Sequence, residues 1–193
     1  MDNNQSTILE LPTGAASWCD ATPTTTEWFR SVTDPWWVIH TRSRQEKVVA
    51  ETLAKRGVPH YLPLVTRTRT YEKVRIKVEL PLFPGYLFLC GAFEACEAAW
   101  KTNRVANMLP VEDQEGIRGE LAQIYQVLQS GESVDLMKTL RRGRRCRISG
   151  GSLAGLEGVI QRRGRHCRMF LAVTILGQSA VVEVDGALLE PVD

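Results

Sequence analysis

The residue types that carry most enzymatic chemistry are sparse and scattered in this chain. Its three histidines are His40, His60 and His166, no serine sits in a nucleophile elbow, and no carboxylate pair departs from ordinary surface charge. A nucleophile needs a base within hydrogen-bond reach, and no spacing here offers that pair. No catalytic residue is therefore expected, and the chain is read as no enzyme. The stretch GGSLAGLEG (150–158) lacks the Gly-Lys-Ser/Thr ending of a phosphate loop. Strand-like runs flank it, so it reads as a tight turn between strands. Five cysteines, at positions 19, 90, 96, 146 and 167, include no Cys-x-x-Cys pair. His166–Cys167 has no second ligand pair at usable spacing, so reduced thiols, no metal and no cofactor are expected.

Binding is the chemistry that the spacing does support. Residues 141–193 hold nine arginines and no lysine, crowded at 141–147 and 162–168. Arginine in that density suits phosphate contact, with the solubilising surface as the alternative. A smaller cationic feature is His40-Thr41-Arg42-Ser43-Arg44, with Asn103-Arg104 further on. The third feature is VELPLFPGYLFLCG (78–91), where Tyr86 and Phe88 alternate with Leu87 and Leu89. Strand parity puts the two aromatics on one face and the leucines on the other. With the leucines inward, the aromatics face out, and exposed aromatics are favoured interface anchors.

These features need elements to hold them. WWVIH reads as a short buried strand from Trp36, and Ser43 to Glu46 reads as a capping box opening a helix that stops at Gly57. HYLPLVT is a second strand, and RTRTYEKVRIKVEL alternates charge with apolar residues as a solvated hairpin does. Phe93, Cys96 and Trp100 mark the apolar side of a second helix, and 106–111 is another strand. Ile117, Leu121, Ile124 and Leu128 carry the clearest helical period. The order predicts an α/β sandwich with a mainly antiparallel sheet over residues 35–130. Residues 131–140 read as a linker. From 141 to 193, short strand-like runs separated by glycine turns predict a small all-β barrel, so the chain is α+β as a whole.

Residues 1–34, rich in Thr, Ser, Asn and Pro, read as a disordered tail with a net charge of −4, one Arg against five acids. Residues 141–193 carry +4, nine Arg against five acids, so basic charge gathers at the far end. Apolar runs are too short to cross a bilayer and no secretory signal opens the chain, so a cytoplasmic monomer with no membrane partner is expected.

Three separated motifs, WWVIHTRSRQEKVV, LPLFPGYLFL, and GSLAGLEGVI with VTILGQSAVVEVD, occur in the order found in the NusG family of transcription elongation factors, and the chain resembles that family over about residues 36–192. The resemblance implies an N-terminal NGN domain followed by an SH3-like KOW barrel. It implies that Phe83, Tyr86 and Phe88 dock onto the clamp helices of RNA polymerase. It further implies that Arg42, Arg44 and Arg104 match positions that contact non-template DNA in RfaH-type paralogues. In the barrel, Leu153, Leu156, Ile175 and Leu176 match loop positions that bind the termination factor Rho or the small ribosomal subunit. The expected function is elongation or antitermination, by a specialised RfaH-like paralogue that suppresses pausing. The rival expectation is an RNA- or ribosome-binding KOW protein acting in translation, with the arginines as its surface.

Overall fold

The computed structural model describes residues 21–71, 74–139, 143–163 and 166–192. Strands β1 (Trp36–Thr41), β2 (His60–Tyr61), β5 (Tyr86–Cys90) and β6 (Val105–Pro110) form an antiparallel sheet in the order β2-β5-β1-β6. Alternation along β1 and β5 gives that sheet two apolar faces. Ile39, Leu87 and Leu89 meet Val49 and Leu53 of α2 (Glu46–Lys55) and Cys96 and Ala99 of α3 (Phe93–Trp100). Trp36, Val38, Phe88 and Cys90 join the opposite cluster, with α1 (Trp28–Ser31) and α4 (Gln114–Gln129).

The expected parity is thus present, but its consequence differs. Phe83 and Phe88 are fully buried rather than facing solvent, and only Tyr86 stays partly open. Both sheet faces are covered, so an aromatic opposite a leucine finds a second core instead of water.

Three further expectations change. Residues 21–34 are not part of a free tail, because α1 buries Phe29 completely and most of Trp28 beside Trp36; residues 1–20 lie outside the described residues. No capping box forms at Ser43: the helix starts at Glu46 after an uncapped Gln45. The Glu46 carboxylate instead accepts the Gly85 N–H from across the fold, at 2.6 Å. On α3, Cys96 and Ala99 are buried while Phe93 is 76% and Trp100 47% exposed. The helix is rotated so that its small residues, not its aromatics, approach the sheet.

The hairpin of β3 (Leu64–Tyr71) and β4 (Val74–Pro81) forms a two-stranded sheet of its own. The second domain is a six-stranded antiparallel sheet in the order β12-β8-β9-β10-β11-β7. Its members are β8 (Arg144–Ile148), β9 (Glu157–Arg163), β10 (His166–Val173), β11 (Gln178–Val184), β12 (Leu189–Pro191) and β7 (Val134–Met137). Strand β7 falls where a linker was expected. It pairs with β11 from Val182↔Val134 to Ser179↔Met137, so this stretch belongs to the barrel sheet.

The two domains share one core. The cluster that holds Phe83, Phe88 and the buried residues of α4 (Ile117, Leu121, Ile124 and Val127) continues into Ile148, Leu156, Met169 and Leu171 of the barrel.

Candidate functional site

The first candidate surface forms where β1 ends, β5 begins and β6 begins. Register places His40 opposite Tyr86 on one side and Asn107 on the other. Tyr86 stacks on His40 with ring centroids 4.9 Å apart. Gly85 holds φ +87, a region that favours glycine, and its carbonyl accepts the Thr41 N–H at 2.8 Å. The turn before β5 is thereby locked to the end of β1.

The cations gather at this same end. The Arg42 N–H donates to the Arg104 carbonyl at 2.8 Å, and the Arg104 guanidinium donates to the side-chain oxygen of Gln45. Arg44 adopts φ +60 and Asn103 φ +56, so two tight turns present the patch. Arg42, Arg44 and Arg104 are all exposed. These three predicted residues are therefore brought together, with Tyr86 and His40 beside them on the same strand ends.

Phe83 and Phe88 lie inward of this patch, edge to face with centroids 6.2 Å apart. They are connected to the surface through the partly buried Tyr86, which packs against the same cluster.

The second candidate surface is the barrel loop set, and here the arrangement differs from an open binding face. Leu156 is fully buried and Leu153 nearly so, while Ile175 and Leu176 pack half-buried against the shared cluster. The 3-10 turn Thr174–Leu176 lies against α4. The Thr174 N–H donates to Glu120 Oε2 at 3.0 Å, and its hydroxyl donates to the other carboxylate oxygen. Gln126 donates to the Ala154 carbonyl at 2.8 Å, and Gln123 accepts the Glu157 N–H at 2.7 Å. Beside these contacts a groove of about 400 Å³ is lined by Leu109, Val111, Ile117 and Ile175. Burial raises the pKa of Glu120 above the ordinary carboxylate value, and the Thr174 hydrogen bonds partly oppose that. α4 thus packs against these loops.

The arginines of the barrel are partly committed elsewhere. Arg147 donates to Glu157 from two nitrogens, Nε at 2.8 Å, and Arg145 lies 3.6 Å from the other oxygen of the same carboxylate. Arg168 pairs with Glu183 at 3.5 Å. Arg141, Arg142 and Arg165 lie outside the described residues. Paired guanidinium groups offer less to a phosphate than their density in sequence suggests.

Sequence reasoning missed Glu120, Gln123 and Gln126, which tie the domains together. They sit one helical turn apart on α4, beside its apolar stripe, and look like ordinary solvated polar positions. Among the described residues there is no group of three or more metal-ligating side chains, and no helix is long and apolar enough to cross a membrane.

Residues 34–126 match the family model described as transcription termination factor nusG. No curated protein matches the chain.

Proposed function

Since this chain belongs to the NusG family through its domain at residues 34–126, a family of transcription factors that bind RNA polymerase, we propose that it is an elongation or antitermination factor whose first domain grips the polymerase clamp helices. The match over that domain is the observation that carries the reading. Tyr86 is the accessible anchor, with Phe83 and Phe88 behind it as the apolar body that a helix of the polymerase would approach. Arg42, Arg44 and Arg104 take the non-template DNA at the rim of the same domain, by charge rather than by strict base readout. No reaction is catalysed: the factor acts by binding, holding the clamp closed so that pausing is suppressed.

The barrel then recruits a second machine, the small ribosomal subunit or Rho, through the loops at Leu153, Leu156, Ile175 and Leu176. Tethering to a bound polymerase raises its effective concentration there. Its packing on α4 supports a specialised, RfaH-like role, because a partner can engage those loops only after they leave α4. The ion-paired arginines weigh against the rival reading of an RNA-binding barrel acting in translation.

Pull-down against core RNA polymerase tests the reading. Tyr86→Ala should reduce retention at least tenfold while the unfolding midpoint stays within a few degrees of the parent, about 2 kcal/mol being a common cost for a lost interface anchor. Undiminished retention would overturn the clamp assignment.

A further inference from the structure

The β3–β4 hairpin is a structural unit that the clamp reading leaves unused. Its segment, 64–81, carries five Lys or Arg against two Glu. Eight residues a side make a ribbon about 27 Å long. It belongs to neither of the two larger sheets.

Its two faces differ in a way that strand parity explains. Directly opposed residues share a face, and alternate residues along a strand do too. One face carries Val65, Arg67, Val78 and Leu80, all partly covered, with Ile76 exposed further out. That face turns toward the barrel, since Arg67 donates to the Val134 carbonyl at 2.7 Å and to Asp135 at 3.1 Å. The other face carries Thr66, Thr68, Arg75, Lys77 and Glu79, every one exposed. Glu79 sits nearer the root, opposite Thr66, so the outer half of this face is cationic, with Lys77 opposite Thr68 and Arg75 opposite Thr70. Threonine hydroxyls beside lysine and arginine are a phosphate-contacting combination.

Position strengthens the point. The ribbon leaves the first domain at the end where β2 finishes and β5 begins, the end at which Arg42 and Arg104 gather. Leu82 N–H bonds the Pro63 carbonyl at 2.8 Å and closes the root there.

We infer that the β3–β4 ribbon is a nucleic-acid-binding arm that grips duplex DNA by its sugar-phosphate backbone through the Thr66, Thr68, Arg75 and Lys77 face. A two-stranded ribbon is of a size that the B-form major groove admits, whereas the A-form RNA groove is deep and narrow. The contact is electrostatic and independent of sequence. It goes beyond the clamp reading and does not need the polymerase, so free DNA tests it.

The test is the salt dependence of binding of the full chain to a fluorescent DNA duplex of arbitrary sequence. An RNA duplex of the same length and the double variant Arg42→Ala/Arg104→Ala run alongside. Arg75→Ala/Lys77→Ala should lower the slope of log K against log salt by about 1.8, the value for two lost phosphate contacts. Arg75→Lys should keep the parental slope. An unchanged slope in Arg75→Ala/Lys77→Ala, with a loss only in Arg42→Ala/Arg104→Ala, would overturn the arm. An equal loss on the RNA duplex would overturn its assignment to DNA.

Discussion

Glu46 and His60 are two polar side chains that the first domain takes almost wholly out of water, and each does so with a partner. Glu46 holds the Gly85 N–H and so fixes the turn that feeds Tyr86 into β5. Glu46→Ala would leave that partly buried donor without its acceptor, a loss of about 1 kcal/mol. Glu46→Gln keeps an acceptor oxygen and should retain most of the stability, and urea unfolding of the two variants would show the difference. His60 donates Nδ1–H to the Val58 carbonyl at 2.8 Å, and burial lowers its pKa below the ordinary value. The unfolded chain therefore takes up the proton first. Stability is fully present above about pH 6.5 and is lost as pH falls through the depressed folded value. The urea midpoint should drop between about pH 7.5 and 5.5, and His60→Gln should flatten that slope if the imidazole is its source.

Elements were legible in proportion to how far their patterns reached. α4 was clear because four apolar residues repeat over three turns, and three of them, Ile117, Leu121 and Ile124, are buried. β1 was clear because WWVIH is continuous and apolar. α1 was not, since four residues in a Thr-rich stretch carry no period; its order comes from Phe29 reaching Trp36, Tyr61 and Tyr125. β7 was equally hidden, as VDLM is too short to alternate recognisably and its order comes from β11. The candidate cations were legible because they flank strand and helix ends. The depth of Phe83 and Phe88 was not, because parity cannot tell a second core from a surface. The value of α1 can be measured. Phe29→Ala should cost about 3–5 kcal/mol, as expected for emptying a fully buried aromatic site, and thermal unfolding would report it.

At the scale of the whole molecule, the shared cluster makes the two domains one cooperative body in this arrangement. The parent chain should unfold in a single calorimetric transition. Glu120→Ala/Gln126→Ala removes side-chain links to the barrel and should split that transition in two while leaving each domain folded. The raised pKa of Glu120 sets a direction as well. The folded chain binds this proton more tightly than the unfolded chain, so its contribution to stability is fully present at low pH and is lost as pH rises through the raised value. The urea midpoint should fall as pH rises through that value, and Glu120→Gln should remove that part of the dependence.

Strand β7 also sets the length of chain that joins the barrel to α4. With β7 zipped to β11, only residues 130–133 separate the end of α4 from the barrel, a leash of roughly 14 Å. Were β7 to peel away, the free span would run from 130 to 143 and reach roughly 48 Å. Four residues of strand thus set the length of the connection, and Arg67, bonded to Val134 and Asp135 from the ribbon, ties the hairpin to that same strand.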